Sequence, residues 1–467
     1  MKLAKTLLKI LAWVVGGVVA LVVVVYLVAL AINLNDQPPS ETVERFRRLV
    51  AERPPVVDAD NGYVYLAGFS VAPGEDPRAW GARRVAWAEK ILAQPAADPV
   101  AGFLGEDHDF KRDRSDAVKA LADACRKADA ACLAAFETGE KHVAEWLAAE
   151  AWLLARYKAL LAHEGWREPV PWDERIPLPQ YWPVHEGQKL LLTEAWTLAG
   201  KGDAAGVRRL LEADVRLWRR ALAEADNLIP KLNAAAALRR HFGWSNLVLR
   251  RLPANVAAAG VPPSWKQPLT DAERSMLRSL AGEWAFYDRG MRRTVESGTP
   301  PPPPDETTPT LVSRVAWRLF KPMYQVQDTG NRYAAMLQSV ATALDVPCEH
   351  YSQAVERARA IHDEAIEDAF PHRIYNVVGD TVFALGAYDV TAYAARVTDL
   401  EGVRRAALLA VDLRTRGIPS GKVAAALPGV SLRSPYDGTP FTWDARAQAI
   451  VFFGLEDGDA GLHRIVY

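Results

Sequence analysis

Two stretches of this chain carry carboxylates at spacings suited to chemistry. Near the C-terminus, Glu456-Asp457-Gly458-Asp459-Ala460-Gly461 forms an acidic glycine loop. Asp457 and Asp459 are its candidate ligands for calcium, a hard cation that takes oxygen donors. The loop does not follow the twelve-residue ligand pattern of an EF-hand, so a plain turn stays open as the alternative. Upstream, His362-Asp363-Glu364-Ala365-Ile366-Glu367-Asp368 sets Asp363 with Glu367, and Glu364 with Asp368, one helical turn apart. Such pairs can converge on a metal or divide acid–base work, and Glu364 and Asp368 are the carboxylates a hydrolase would use. Arg357 and Arg359 just upstream favour the other reading, a solvated charged helix face. His350 and His372 lie too far away in sequence to strengthen the cluster.

Other chemistries leave no trace. Gly243-Trp244-Ser245 is followed by Asn246-Leu247 and lacks the second glycine of a nucleophile elbow. There is no phosphate loop, dinucleotide fingerprint or His-Glu-x-x-His. No catalytic residue, cofactor or metal is therefore assigned, and none is expected. With Lys+Arg 56 against Asp+Glu 57, no basic excess is available to neutralise phosphates, which excludes nucleic acid as the expected partner. Three cysteines are too few for a disulfide-built scaffold. Cys125 and Cys132 are seven apart, about 10 Å along an unbroken helix, so they can bond only if the chain turns between them. The alternative is two small buried apolar residues. Cys348, after Pro347, reads as a buried thiol.

The elements that must position these groups begin with an uncharged apolar run from Ile10 to Ile32, the length of a bilayer-spanning helix. Lys2, Lys5 and Lys9 precede it, whereas the residues after it carry Asp36 and Glu41 and no early Lys or Arg. The positive-inside rule then leaves residues 1–9 in the cytoplasm and the bulk in the periplasm, anchored by 10–32 in the inner membrane. Ala29-Leu30-Ala31 has the form of a signal-peptide cleavage site, but the apolar run exceeds a signal-peptide core.

Beyond the membrane, 33–113 reads as a juxtamembrane helix followed by an extended packing segment, Asp60–Gly81, suggested by the alternation in Tyr63-Val64-Tyr65. Helical periodicity dominates 114–297. Asp203 is a plausible N-cap, and Val207, Leu210, Leu211, Trp218, Ala221 and Leu222 form one stripe that Asp214 interrupts. Gly200-Lys201-Gly202 joins this helix to the one before it as a helical hairpin, and similar pairs recur without a fixed period. A proline-rich loop and an aromatic-basic segment fill 298–326. There Val315–Tyr324 suits either a membrane surface or ordinary packing. Helices resume over 327–417 and end at Gly417. The last piece, 418–467, reads as a turn at Asp437-Gly438 and short strands at Pro440–Trp443 and Gln448–Phe453. The fold class is mainly α: an N-terminal transmembrane helix, an irregular helical-hairpin bundle or solenoid, and a small C-terminal β-hairpin piece.

The end-piece, from Gly417-Ile418-Pro419 through SPYDGTPFTW (Ser434–Trp443) to the acidic loop, resembles a C-terminal module of uncharacterised bacterial membrane-anchored helical proteins. It is also similar to the closing β-hairpin of the major pseudopilins, which share an N-terminal membrane helix and can hold calcium in the acidic loop. That second likeness covers some thirty residues, the charged prepilin cleavage signal is missing, and the body is far larger. AWTLAGKGDAAGVRRLLEADVRLWRRAL (Ala195–Leu222) and DNGYVYLAGF (Asp60–Phe69) extend the broader resemblance over most of the exported part. It implies a membrane-anchored helical architecture and no activity. The expected function is thus an exported scaffold or interaction domain working with an envelope protein partner. An envelope hydrolase and a lipid- or ligand-binding helical domain are the alternatives.

Overall fold

The computed structural model describes residues 2–94, 114–299, 308–368 and 373–467. The run of five prolines and His372 lie outside them. The chain opens with α1 (Lys2–Ile32), whose stretch Lys9–Ile32 is long and apolar enough to cross a membrane. Then follow α2 (Glu41–Ala51), α3 (Gly62–Ala67), α4 (Pro77–Leu92), α5 (Asp116–Ala124), α6 (Ala130–Thr138), α7 (Glu140–Ala149) and α8 (Ala151–Leu161). The middle of the body is α9 (Tyr181–Gly200), α10 (Ala204–Glu224), α11 (Leu228–Arg251), the short α12 (Ala254–Ala257) and α13 (Asp271–Arg274), and α14 (Leu277–Ser297). After it come α15 (Leu311–Phe320), α16 (Val326–Ala343), α17 (Tyr351–Glu367), α18 (Val377–Gly386), α19 (Thr391–Thr415) and α20 (Ser420–Ala426). The chain closes with strands β1 (Thr442–Asp444), β2 (Ala449–Phe453) and β3 (Leu462–Val466).

The stripe on α10 explains the centre of the fold. Asp203 caps the helix, its side chain accepting from Gly206 N at 2.8 Å, and Gly202 makes the turn from α9 at φ +74°. Val207, Leu211, Trp218 and Leu222 are fully buried against α9 and α11. α11 in turn packs on α19, and one apolar cluster runs from Val43 on α2 to the C-terminal Tyr467. Six tryptophans (Trp146, Trp166, Trp218, Trp244, Trp265 and Trp284) are wholly buried in it, filling helix crossings with large rigid rings.

The segment Asp60–Gly81 departs from the extended reading. Residues 62–67 form α3, capped by Asn61, whose side chain accepts from Tyr63 N at 3.1 Å. Every residue of α3 is buried, so no helical stripe exists and the aromatic alternation imitates a strand. α4 crosses it closely: a Cβ on Gly81 would fall 1.8 Å from the Val64 carbonyl oxygen, which only glycine avoids. α5 and α6 are separate helices, and the turn between them brings Cys125 and Cys132 to a Cα separation of 4.4 Å in a disulfide. Cys348 is a free, half-buried thiol whose pKa burial raises.

The end-piece is larger than a hairpin. β1, β2 and β3 form an antiparallel meander in that order, with Thr442 opposite Val451 and Phe452 opposite His463. β3 hides in the sequence because Arg464 alternates outward while Ile465, Val466 and Tyr467 are buried, a pattern too short to register. In the preceding turn Asp437 accepts from Thr439 N at 3.1 Å, and Tyr436 and Phe441 are buried as packing anchors.

Candidate functional site

Prolines build the most site-like region. Between α8 and α9, Pro169, Pro171, Pro177 and Pro179 remove backbone donors and keep the segment 168–180 out of helix, so it crosses the surface as a strap. Charge pins it to α14. Asp173 receives Arg175 Nε at 2.9 Å and Arg293 Nη2 at 2.9 Å, and Arg289 donates to the Trp172 carbonyl. Burial alone would raise the Asp173 carboxyl, yet these guanidinium groups hold it below its ordinary value.

On one side of the strap lies an open groove of about 460 Å³. Ile176, Pro177 and Leu178 form one wall, Ile229 and Leu232 of α11 the second, and Phe286, Tyr388 and Tyr393 the third. Leu178, Ile229, Phe286 and Tyr388 remain 37–43% exposed, unusual for side chains of that size in one place. At the edge, Glu283 accepts from Leu228 N at 3.1 Å and from the Tyr388 hydroxyl at 3.0 Å, and burial raises its pKa.

On the other side a cavity of about 280 Å³ is lined by Arg167, Glu168, Asp226, Asn227 and Arg289 among others. Glu168 is buried; one oxygen accepts from Asp226 N at 2.9 Å and the other from Asn227 Nδ2 at 2.7 Å. Burial, and then the nearby Asp226 charge, push its pKa up to about 8, which favours the protonated form. Burial raises Asp226 as well, against the pull of Arg53, whose Nη1 lies at 2.5 Å. A neutral carboxyl beside a cavity suits a general acid. Both of its oxygens, however, are already engaged by Asp226 and Asn227, the two residues just before α11.

Comparison with known families, with curated proteins and with solved structures gives no match. The reading of the site therefore rests on its geometry alone.

The structure separates the sequence-predicted carboxylates. Asp457 and Asp459 are exposed, while their neighbour Glu456 turns inward. Glu456 is held by Arg239 and by Arg396 at 3.0 Å. It stands beside Asp399 of α19 and His463 of β3, three side chains whose donor atoms lie within 4.8 Å of one another. The spacing suits a metal, but the oxygens are spoken for. Asp399 accepts from the Tyr436 hydroxyl at 2.5 Å, Leu455 N at 2.9 Å and Glu456 N at 3.3 Å, and lies 3.3 Å from His463 Nε2. A Cβ on Gly454 would fall 2.1 Å from that carboxylate, so the backbone closes directly onto it. This is a hydrogen-bonded clamp joining the end-piece to α11 and α19. Glu364 and Asp368 are exposed on the rim of a depression of about 290 Å³, beside Arg332 and Ser339. The two carboxylates share a surface there and are not enclosed.

Sequence reasoning missed Glu168, Asp226 and the strap, whose proline density was the available signal. It flagged Asp214 only as a flaw in a stripe. Asp214 is fully buried and accepts from the Tyr157 hydroxyl, from Gln188 Nε2 at 3.0 Å and from His241 Nδ1 at 2.7 Å. Trp265 Nε1 donates to His241 Nε2 at 2.8 Å; indole can only donate, so the imidazole proton sits on Nδ1, facing Asp214. The chain of partners is complete and sealed from solvent, a core-specifying network.

Proposed function

We propose that this protein is a single-pass envelope protein whose exported helical body is an interaction module. The groove between the strap, α11 and α14 would receive an extended apolar segment of a protein partner. The observation that carries the reading is the groove's lining: Trp172, Pro177, Ile229, Phe286, Tyr388 and Tyr393 offer flat apolar faces and hydroxyls. Aromatic walls of this kind suit extended or proline-rich peptides. Partial exposure of the rim and the pinned strap supply a preformed, concave surface. A photo-crosslinking amino acid placed at Ile229 in intact cells should give one discrete protein adduct, lost when Phe286→Asp is added. A crosslinker at exposed Glu367 should not give that adduct. Equal adducts at both positions, or none at Ile229, would sink the proposal.

The same reading places residues 1–9 in the cytoplasm and the body in the periplasm. The Cys125–Cys132 disulfide supports it, because such bonds persist in oxidising compartments. Thiol labelling of the denatured, unreduced chain should then report Cys348 alone, and all three cysteines only after reduction. Three reactive thiols before reduction would put the body on the reducing side.

Glu168 favours a second reading, an envelope hydrolase with that carboxyl as acid. The hydrogen bonds that already occupy both of its oxygens weigh against it, and Glu168→Gln separates the two: a binding module keeps its Ile229 adduct, whereas an acid catalyst loses its turnover. A carrier of lipid is less well supported, since the apolar slot between α4 and the strap holds only about 50 Å³.

A further inference from the structure

We propose that α15 is a second membrane contact: an interfacial helix that lies in the outer boundary of the same bilayer that α1 crosses. The proposal rests on the reading of α1 as a spanning helix. No residue of α15 is buried, although the helix is rich in aliphatic side chains. Leu311 and Val312 are 77% and 78% exposed, and Val315, Leu319 and Phe320 about half exposed. These five side chains fall within one half of the helical circumference. Trp317, off that half, turns the other way and packs edge-on against Tyr324, in a small cluster with Met291 and Val326. The helix therefore presents its aliphatic face outward and its indole to the protein, the reverse of what water would select.

Position identifies what covers that face. The Tyr26 hydroxyl of α1 donates to the Leu319 carbonyl at 2.9 Å, and α1 also meets the turn Lys321–Met323 that follows, so the C-terminal end of α15 abuts the spanning helix. Tyr26 stands seventeen residues beyond Lys9, about 26 Å of helix, against a hydrocarbon thickness of about 30 Å. The end of α15 is thus level with the boundary between acyl chains and headgroups. The junction is not free to tilt away. Asn33, buried at the end of α1, donates to the Ala29 carbonyl at 2.8 Å and the Ile374 carbonyl at 3.0 Å, and accepts from Asn376 N at 2.7 Å. Asp36 caps α16, accepting from Gln327 N at 2.7 Å and Asp328 N at 3.0 Å. Ile374 and Val377, also exposed, extend the apolar surface beside this junction. Arg314, Arg318 and Lys321 are at hand for lipid phosphates, as in amphipathic interfacial helices.

A lipid surface is the occupant that fits, because the apolar face is convex and aliphatic and its end is tied to the spanning helix. The test uses the full chain with Cys348→Ala in nanodiscs of phosphatidylcholine and phosphatidylglycerol, spin-labelled singly at Val22, Arg314, Val315 or Leu319. Labels at Val22, Val315 and Leu319 should collide more with oxygen than with a water-soluble nickel chelate, and the label at Arg314 should show the reverse. A lipid signature at Val22 with an aqueous one at Val315 and Leu319 overturns the proposal and leaves the span intact. Protection from both reagents at those two sites overturns it in favour of a protein cover. An aqueous Val22 overturns the spanning reading itself, and the proposal with it.

Discussion

The molecule exposes apolar side chains in two places that differ in shape, chemistry and support. The groove by the strap is concave and aromatic, with Phe286 and Tyr388 beside a half-buried carboxyl, Glu283. The face of α15 is convex and aliphatic, with arginines at its margin and no buried residue. Exposure alone does not separate them. What does is the neighbouring structure: the strap beside the groove is pinned by ion pairs within the body, whereas the end of α15 is tied to α1. The first geometry suits a chain with shape of its own, and the second a fluid surface that supplies none. An unpartnered apolar face thus becomes interpretable once the device that fixes its position is known.

The largest expected effect breaks that device on the groove side. Asp173→Ala removes the acceptor of both Arg175 and Arg293 at a site where the Asp173 side chain is 1% exposed. Arg175 is left buried without a carboxylate, while Arg293 keeps Glu174 at 3.0 Å, so the cost is on the order of 2–3 kcal/mol. Chemical denaturation should show that loss, and the strap should become open to protease, while spin labels on α15 keep their lipid signature. A groove adduct at Ile229 that survives in this variant would show that the strap is not what shapes the groove.

The contrast was only partly legible in the sequence. α1 was plain because twenty-three uncharged residues in a row make a helix long and apolar enough to cross a bilayer. α10 was plain because it is buried on one side, and the flaw at Asp214 marked the buried hub that accepts from His241 and Gln188. α3 was hidden because burial on every side erases periodicity, and β3 because five residues are too few to show it. The groove was illegible for a different reason. Its walls come from 172–178, α11, α14 and the start of α19, and nothing local announces that Phe286 will face Ile229. The α15 face could be seen as amphipathic, but the choice between core and lipid needed Tyr26 and Asn33 to set its height.

A smaller effect sharpens the distinction between binding and catalysis at the strap. Glu168 has an ordinary value of 4.5 and is pushed up to about 8 in the folded chain by burial and by Asp226. The folded state therefore binds that proton more tightly than the unfolded one. The stabilisation it provides is complete below the unfolded value and is lost as pH rises through the folded one. Thermal melts of the full chain should show the protein losing stability between pH 5 and pH 8 relative to Glu168→Gln, in which the dependence is flatter. Parallel curves would place the proton elsewhere and remove the main argument for acid chemistry beside the groove.

The smallest expected effect concerns a third exposed surface, where charge replaces apolarity. Asp457 and Asp459 are open to solvent and flank Gly458 at φ +61°, so the loop looks available to calcium. Calcium needs six to eight oxygens, and the buried carboxylates nearest the loop are already engaged. Glu456 is shared by Arg239 and Arg396, and Asp399 accepts from the Tyr436 hydroxyl and the backbone N–H groups of Leu455 and Glu456. To recruit them the ion must displace two guanidinium groups and unclamp the end-piece from α19. Millimolar calcium and a chelator should therefore give the same melting temperature, and Asp459→Ala should not change it. Glu456→Ala should lower it, since it leaves two arginines without their shared acceptor, though Arg396 is partly solvated and the loss stays at about 1–2 kcal/mol. A rise with calcium that Asp459→Ala abolishes would mean that the loop can open its own clamp, and the exposed acidic surface would join the groove as a site.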